Sequence, residues 1–353
     1  MSATIRDVAR EAGVSVATVS RVLNGSGPVS DSARSRVERA ARSLEYTPHG
    51  AARSLSTRRT LNLGVILPDL YGEFYSQVIR GMDSVTRKAG YHLLLSGSHA
   101  DRTEVSAALR AMRGRVDGLI LMSPDITPVE LGQVVPATWP AVLVNSGPTN
   151  GRFDTLNVDN AGGSTAVVRH LGALGHERIG LIAGEAQNHD AQERREGYGR
   201  TLAALGLERR PEWEVEADFT KQGGYAAAQR LAGLAERPTA IFAANDSMAV
   251  GALSALQEAG LRVPEDVAVV GFDDVPIARY VTPPLSTVQV DLQGLGRRAV
   301  ELLLLALQEG AAHEPRHEVV GTSLVVRRSC GAPREGGGEV SRWDGNGVRI
   351  FKP

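Results

Sequence analysis

Short, nearly continuous apolar segments alternate with helical stretches from Leu61 onward, and this alternation most constrains the fold. Such segments, separated by helices, indicate a parallel sheet that is covered by helices on both faces. The pattern occurs twice, so we predict an α/β body of two doubly wound lobes that face a cleft. The predicted strands are 64–67, 91–95, 118–122, 141–144, 179–182, 214–217, 240–244 and 267–270. The predicted helices are 74–89, 104–113, 161–174, 191–205, 224–235 and 248–259.

Two short helices are predicted upstream of that body, joined by a turn at Gly13. Thr4 stands before the first helix as its N-cap, and Asp7 lies near the positive end of the helix dipole. Ser15 precedes the second helix, predicted over 16–24, and its hydroxyl can accept from the first free backbone N–H groups. Two helices joined by a tight turn indicate a helix-turn-helix, whose second helix fits the major groove of DNA.

The second of these helices has two different faces. Ala17, Thr18 and Arg21 fall on one face, where they are free to contact a partner. Any small helical domain contains short helices, so a purely structural domain remains the alternative. The opposite face carries an apolar stripe at helical spacing, formed by Val16, Val19, Val22 and Leu23.

A third helix is predicted over 31–44, with Ser30 as its N-cap, and completes a small domain that ends near Tyr46. Residues 1–60 hold ten Arg, no Lys and five acidic residues, which gives +5. The rest of the chain therefore carries −6, because the total is −1. A basic head on an acidic body favours a polyanionic partner for the head alone.

The segment 4–25 resembles the signature of the lactose repressor family of bacterial transcription regulators, and the resemblance extends to about Arg328. The segment reads Thr4-Ile-Arg-Asp-Val-Ala-Arg-Glu-Ala-Gly-Val-Ser-Val-Ala-Thr-Val-Ser-Arg-Val-Leu-Asn-Gly25. The resemblance implies a helix-turn-helix head over 1–46, a hinge over 47–60 and a body like a periplasmic binding protein over 61–330. The Gly-rich tail, 331–353, lies outside it and is expected to be disordered. The DNA contacts expected from the head are Thr4, Ser15, Val16, Ala17, Thr18, Arg21 and Asn24.

In the predicted hinge, Ala51, Ala52 and Leu55 can line one side of a helix barely two turns long. So short a helix is marginal alone, because nucleation is unfavourable, and a flexible basic linker is the alternative. The resemblance identifies this segment as a hinge helix that orders on operator DNA, with Leu55 as a wedge in the central minor groove. Ala52 and Arg53 are the further DNA contacts expected there.

Polar side chains follow the carboxyl ends of the predicted strands, where doubly wound sheets bind ligands. Carboxylates, amides and hydroxyls that converge on a cleft suit a polyol or sugar. The alternative is that some of them cap the following helix, the interpretation we favour for Asp246 and Asp274. The full set is Asp69, Ser96, Ser98, Ser123, Asn145, Glu185, Asn245, Asp246, Asp273 and Asp274.

The resemblance narrows this set. Segments 244–249 and 269–274 resemble family motifs that border the effector site, and 194–198 resembles a helix start whose first arginine reaches the effector. Phe272 stands where a tyrosine is common, which leaves the ligand's identity open. The effector contacts that the resemblance implies are polar from Asn145, Arg194, Asn245 and Asp273, and apolar from Phe74 and Phe219.

An enzyme is not expected, since the sequence contains no dinucleotide fingerprint, no phosphate loop and no metal-spaced His or Cys group. We therefore predict no cofactor and no metal, and we interpret His170 and His176 as structural. The single Cys330 excludes an internal disulfide and suits a reducing compartment. The start lacks an apolar signal region and no apolar run approaches membrane-spanning length, so we expect a cytoplasmic protein.

The sequence thus predicts a ligand-responsive transcriptional regulator of repressor type. Its expected partners are palindromic operator DNA, a small neutral sugar-like effector and a second copy of the chain. A dimer is expected because the leucine heptads that make some family members tetramers are absent. A corepressor-dependent regulator and a transport-type binding protein remain the alternatives, although the DNA-binding head argues against the second.

Overall fold

The computed structural model describes most of the chain, in two compact units. One unit comprises Met1–Leu61 and Gly114–Asp117, and the other comprises Asn62–Arg113 and Gly118–Pro353. Within the described parts, no helix is long and apolar enough to cross a membrane. The described residues are 3–24, 27–46, 59–99, 101–123, 128–135, 139–146, 151–332, 342–344 and 349–350.

The first unit contains α1 (Ile5–Ala12), α2 (Val16–Asn24) and α3 (Asp31–Ser43). The predicted cap of α1 is present: Asp7 N donates to Thr4 Oγ1 at 3.4 Å, and Thr4 N donates to the Asp7 carboxylate at 3.0 Å. Gly13 has a φ of 60°, in the left-handed region that favours glycine, and it turns the chain from α1 into α2. Ser30 caps α3, as predicted.

The apolar faces of these three helices meet in one core. Val16, which we predicted in the buried stripe of α2, is 42% exposed, so that prediction is wrong. Successive residues lie about 100° apart around a helix, which puts Val16 about 60° from Val19, at the border of the buried arc. The core residues are Val8, Ala9, Ala12, Val19, Val22, Val37, Ala40 and Ala41.

Strands and helices alternate along the second unit, as the sequence predicts. Its described strands are β1 (Asn62–Leu67), β2 (His92–Gly97), β3 (Gly118–Met122), β4 (Ala141–Val144), β5 (Asp154–Val158), β6 (Ile179–Ala183), β7 (Glu214–Glu216), β8 (Ala240–Ala243), β9 (Ala268–Asp273), β10 (Ser286–Gln289), β11 (His317–Val320), β12 (Ser323–Val325), β13 (Arg342–Asp344) and β14 (Arg349–Ile350). Its described helices are α4 (Glu73–Lys88), α5 (Arg102–Met112), α6 (Pro128–Val134), α7 (Asn160–Ala173), α8 (His189–Leu205), α9 (Lys221–Ala232), α10 (Asp246–Glu258) and α11 (Leu292–Glu309).

These strands form two sheets, each with its own helices, which we call the first and the second lobe. The first lobe has the parallel order β11-β5-β4-β3-β1-β2. The second has the order β14-β13-β12-β10-β9-β8-β6-β7, parallel from β10 to β7. Every residue of β3 and β4 is buried, as expected of strands covered on both faces. The predicted α/β architecture with two doubly wound lobes is confirmed.

The chain passes between the lobes three times. It leaves the first lobe after β5, returns to it in α11 after β10, and enters the second lobe again between β11 and β12. α11 packs against α4 and against β3, β4 and β5 of the first sheet. Because each lobe is assembled from separate stretches of sequence, a relative movement of the lobes acts on all three connections.

The Gly-rich tail was predicted to be disordered from residue 331. The structure places two short antiparallel strands in it, with β13 paired to β12 and β14 paired to β13. These strands are the part of the tail beyond residue 332 that the structure describes, and the disorder of the tail stays a prediction. The edge of β12 has backbone N–H and C=O groups with which another strand can form hydrogen bonds. Amino-acid composition does not reveal such an edge.

Candidate functional site: the exposed face of α2 and a polar cavity

The predicted DNA-contacting face of α2 is free of the head's core. Ser15 Oγ caps the helix by accepting from Thr18 N at 3.1 Å. Val16, Ala17 and Arg21 are exposed beyond that cap. This leaves two small apolar side chains and one long cation on the outer face of the helix.

The remaining head positions complete this surface. Thr4 is exposed next to the start of α1, whereas Asn24 is half-buried and donates from Nδ2 to Ser20 Oγ at 3.2 Å. The predicted hinge contacts Ala52, Arg53 and Leu55 lie outside the described residues.

A cavity of about 380 Å³ opens at the carboxyl ends of strands from both lobes. Asp69 and Glu185 from the wider predicted set also line it, whereas Ser96, Ser98, Ser123, Asp246 and Asp274 do not. The cavity thus brings together side chains that are far apart in sequence. The six residues that the resemblance implied all line it: Phe74, Asn145, Arg194, Phe219, Asn245 and Asp273.

Arg194 is buried in the second turn of α8 and is held on three sides. Its Nε donates to Asn160 Oδ1 at 2.8 Å, and a second guanidinium nitrogen donates to the carbonyl oxygen of Ala244. The guanidinium carbon lies 3.9 Å from the ring centroid of Phe272, a cation–π contact. Phe272, which stands where a tyrosine is common in the family, therefore packs its ring against the guanidinium of Arg194. The arginine is fixed before any ligand arrives.

Asp273 ends β9 beside this arginine. Its Oδ1 lies 3.6 Å from an Arg194 nitrogen and is buried, with no hydrogen-bond partner among the described residues. Burial raises the pKa of Asp273 to about 7, although the Arg194 charge opposes the rise. Its φ of 107° is strained for a residue with a side chain, and such strain concentrates at functional sites.

Asp190, in the first turn of α8, was not predicted from sequence. Its two oxygens accept from Asn145 Nδ2 at 2.9 Å and from Asn160 Nδ2 at 3.0 Å. Burial raises the pKa of this carboxyl to about 6, against the opposing charge of Arg194. Its position four residues before Arg194, on the same helix face, was the available signal.

Asn145 supplies the first-lobe side of this arrangement. Its Nδ2 donates across the cleft to Asp190, while its buried Oδ1 has no hydrogen-bond partner among the described residues. Like Asp273, Asn145 has a positive φ, of 52°. Two buried acceptor oxygens, one from each lobe, therefore line the cavity with their hydrogen-bonding capacity unused.

Asn245 caps α10, because its Oδ1 accepts from Met248 N at 2.8 Å. Its Nδ2 donates to the carbonyl oxygen of Phe219 at 3.0 Å, which fixes that residue at the cavity wall. The ring of Phe219 packs over Gly184, where an added Cβ would lie 2.1 Å from the ring. Gly184 thus makes room for one apolar wall, and Phe74 forms another part of the lining.

The interpretation of Asp246 and Asp274 as helix caps is wrong. Asp246 is the first residue inside α10, where its oxygens accept from Val275 N at 2.9 Å and from the Thr287 hydroxyl at 2.5 Å. Asp274 pairs with Arg327 at 2.5 Å. Asn245 has the extended backbone of an N-cap residue, so the following aspartate is free to bind Val275 in the loop after β9 and Thr287 in β10.

The two histidines interpreted as structural have partners in the second lobe. His170 Nε2 lies 3.4 Å from Cys330 Sγ, and His176 Nδ1 lies 3.1 Å from Thr239 Oγ1. Burial lowers the pKa of His170 to about 4. Among the residues that the structure describes, no three His, Cys, Asp or Glu side chains are placed to hold a metal ion.

Comparison with known proteins covers both parts of the chain. A model of bacterial regulatory proteins of the lacI family matches residues 4–49, and a periplasmic binding protein-like domain matches residues 168–330. The HTH-type transcriptional repressor PurR of Haemophilus influenzae (strain PittEE) is 35% identical over 332 residues, covering 93% of this chain and 98% of that protein. The ribose operon repressor of Haemophilus influenzae (strain ATCC 51907) is 37% identical over 331 residues, with the same coverage of 93% and 98%.

Solved structures give the same result. The lac repressor dimer bound to operator and the anti-inducer ONPF has a TM-score of 0.83 and 30% identity, covering 94% of this chain and 100% of that one. The transcriptional regulator CelR in complex with cellobiose has a TM-score of 0.71 and 33% identity, covering 93% and 99%. The similarity therefore includes the head and the body together.

Proposed function

Since the chain belongs to the LacI family of bacterial regulatory proteins, we propose that it is a homodimeric repressor whose affinity for a palindromic operator is set by a sugar-like effector. The family makes it a DNA-binding transcriptional regulator with a ligand-binding body, and not an enzyme. As a repressor of transcription it would act in the cytoplasm, where the operator is.

The exposed face of α2 supports the DNA-binding half of this proposal. Arg21 can present two parallel donors to the O6 and N7 atoms of guanine, and Val16 and Ala17 can contact thymine methyl groups. Two heads related by a dimer axis would occupy half-sites about one helical turn apart, which makes the operator a palindrome. The helix would be positioned on the DNA backbone by Thr4, Ser15, Thr18 and Asn24.

The observation that carries the effector half is the pair of unpartnered buried oxygens, Asn145 Oδ1 and Asp273 Oδ1, beside the fixed guanidinium of Arg194. A buried acceptor that receives no hydrogen bond is unfavourable. A ligand that donates a hydroxyl group to each of these two oxygens therefore removes that unfavourable term and also forms two hydrogen bonds. Phe74 and Phe219 offer apolar faces for the carbons of a sugar ring. One relative is named for ribose and one neighbour contains cellobiose, which also favours a sugar-like ligand.

Two hydrogen bonds between the lobes indicate how the ligand would act. Asn145 donates to Asp190 at 2.9 Å, and Ile277 N donates to Glu73 Oε2 at 2.8 Å. Asn145, Asp190 and Glu73 line the cavity. A ligand that contacts both lobes there would favour one lobe arrangement over another. The ligand can change DNA affinity by no more than its differential affinity for the two arrangements, and typical couplings are about 1–3 kcal/mol.

The test is selection of binding sites from random duplexes by the purified protein, followed by titration of the enriched site at fixed salt with and without a panel of sugars. We expect a palindrome to be enriched and at least one sugar to change operator affinity about fivefold or more. Enrichment of no palindrome would contradict the dimeric DNA-binding proposal. A palindrome whose affinity no sugar changes would contradict the effector proposal alone, and the sign of any change distinguishes induction from corepression.

A further inference from the structure

Asp117 binds the end of the segment that leads from the head into the first lobe. Its Oδ1 accepts from Thr60 N at 2.7 Å and from Thr60 Oγ1 at 2.8 Å, and its Oδ2 accepts from Leu61 N at 3.0 Å. These partners lie 57 and 56 residues before Asp117 in the sequence. One carboxylate therefore holds two consecutive backbone N–H groups and one hydroxyl, directly before β1 begins.

These three hydrogen bonds hold the backbone in a conformation that it does not otherwise prefer. Leu61 has a φ of 56°, in the left-handed region that is unfavourable for a residue with a side chain. Hydrogen bonds to an ionised carboxylate are roughly twice as strong as those between neutral groups. Asp117 is half-buried, so water competes only partly for its oxygens. Asp117 therefore determines the direction in which the chain enters β1.

Asp117 is itself fixed, because it directly precedes β3. That strand lies inside the first sheet and pairs with β1 in parallel, with Leu63 opposite Gly118. The pairing of the two strands begins at these residues, and the Asp117 carboxylate continues it by side-chain contacts to Leu61 and Thr60. The loop 114–117 accordingly belongs to the same compact unit as residues 1–61. The end of the linking segment is thus fastened to the start of an interior strand.

The opposite ends of the same two strands reach the ligand cavity. Pro68 and Asp69 directly follow β1, Met122 ends β3, and all three line the cavity. Both strands are buried almost throughout, and close-packed interiors transmit displacement instead of absorbing it. A movement of the first lobe therefore carries Asp117 with it, and through Asp117 the end of the linking segment.

We propose that Asp117 is a positioning residue for operator binding: it fixes the point and the direction in which the linking segment leaves each lobe, and so sets the half-site spacing that the dimer accepts. This inference rests on the proposed function, because it presupposes a dimer on a palindrome. Each base pair inserted between the half-sites moves one of them by about 3.4 Å and rotates it by about 35°. A segment with a fixed end cannot follow that change, whereas a segment with a free end can.

A purely local role is the alternative, since carboxylates often accept hydrogen bonds from nearby backbone N–H groups. Asp101 of the first lobe has such a role: it accepts from Thr103 N at 2.6 Å and from Thr103 Oγ1 at 2.5 Å, and it caps α5. Its partners lie two residues away, and none of them belongs to the linking segment. Asp101 thus matches Asp117 in its hydrogen-bonding groups but not in what it joins, which makes it the matched control.

The test is titration of the full-length protein at fixed salt with duplexes that carry the selected palindrome, either unchanged or with one base pair inserted or removed at its centre. The wild type should bind the unchanged duplex about tenfold or more tightly than either altered one. Asp117→Asn places an amide donor against one of the two backbone N–H groups, and it should reduce this ratio to about threefold or less. Its affinity for random duplexes should stay within about threefold of the wild type, because the heads are unchanged.

Further variants separate positioning from stability. Asp101→Asn and Thr60→Ser should keep the spacing ratio of the wild type within about twofold, because the first lies outside the link and the second retains the hydroxyl. Thr60→Val removes one of the three hydrogen bonds and should give an intermediate ratio. Thermal unfolding checks that each variant is folded; if Asp117→Asn is not, the comparison of Thr60→Val with Thr60→Ser decides. A variant that is only partly folded loses affinity for every duplex equally, which leaves the ratio unchanged.

The outcomes separate this inference from the proposed function. A wild type that selects a palindrome but tolerates altered spacing overturns the positioning role alone. An Asp117→Asn variant that keeps the wild-type ratio, or an Asp101→Asn variant that loses it to the same extent, also overturns that role. Failure of the wild type to select any palindrome overturns both proposals.

Discussion

Asn145 and Asp190 form a hydrogen bond of 2.9 Å that joins the two lobes across the ligand cavity. Asn145 follows β4 of the first lobe, and Asp190 lies in the first turn of α8 of the second. Because the donor and the acceptor belong to different lobes, the distance between them measures how far the cavity is closed. Substitutions at this pair therefore act on lobe closure and on ligand binding together.

Asn145→Asp should weaken effector binding at neutral pH more than Asn145→Ala does. The aspartate would replace a hydrogen bond with two like charges at contact distance, whereas alanine only removes the bond. Repulsion between carboxylates raises the pKa of one of them, so the additional loss should diminish at about pH 5, where one carboxyl is protonated. Calorimetric titration of both variants at the two pH values measures this, and an additional loss that does not depend on pH would contradict it.

The sequence predicts the fold best where strands are buried on both faces. The predicted bounds of β3 and β4, 118–122 and 141–144, coincide with the observed strands, since a continuous apolar run marks where a buried strand begins and ends. β5 was missed because its polar residues interrupt the run. The buried carboxylate of Asp154 is paired with His313 and accepts from Arg316 N, both far along the chain. α11 was missed although it is apolar. Its Gly296 lies where an added Cβ would meet the Val78 carbonyl oxygen of α4, so this glycine is explained by helix packing, which sequence alone does not show.

The same distinction applies to the cavity. Arg194, Asn145 and Asp273 were found because they follow strand ends or resemble family motifs, and the structure brings them to one cavity. Asp190 was missed, since its importance comes from an amide in the other lobe, 45 residues away. Local pattern therefore identifies side chains at strand ends, whereas partners that depend on how the lobes meet require the structure.

Asp273→Asn should stabilise the ligand-free protein at alkaline pH relative to the wild type. Burial raises the pKa of Asp273 in the folded state from its ordinary value of 3.8 to about 7, so the folded state binds the proton more tightly than the unfolded state. The stability linked to this carboxyl is fully present below about pH 4 and is lost as pH rises through about 7. Asparagine has no such titration.

Urea unfolding of both proteins at about pH 5 and about pH 8 measures the effect. The difference in unfolding free energy, variant minus wild type, should increase between the two pH values, and taking this difference cancels the other titrating groups. The matched variant Asp69→Asn, at a carboxyl that remains in contact with water, should show little change. A difference for Asp273→Asn that stays constant or falls with pH would contradict the assignment.

Leu55→Ala should reduce operator bending if Leu55 is the minor-groove wedge that the family resemblance implies. An apolar wedge unstacks one base step at the expense of a few kcal/mol, which the contacts of the bent duplex offset. The wild type should prefer a central CG step, since pyrimidine–purine steps unstack easily, and the variant should lose that preference. Bending assays with central CG and GC operators test this, and an unchanged bend with an unchanged centre preference would favour a simple tether.

Arg21→Ala should lose roughly 1–3 kcal/mol of binding free energy at the operator and much less on random DNA. Arg21 lies on the exposed face of α2. An arginine can make a bidentate contact to guanine, and such a contact exists only at the correct base. Arg10→Ala is the matched control, because Arg10 is also exposed but is paired with Asp7 at 2.9 Å on α1. Its loss should be small and similar on both DNAs, as expected of a group outside the base-contacting face. Titration at one fixed salt concentration compares the four combinations, and equal losses of Arg21→Ala on operator and random DNA would show that Arg21 contacts phosphate instead of a base.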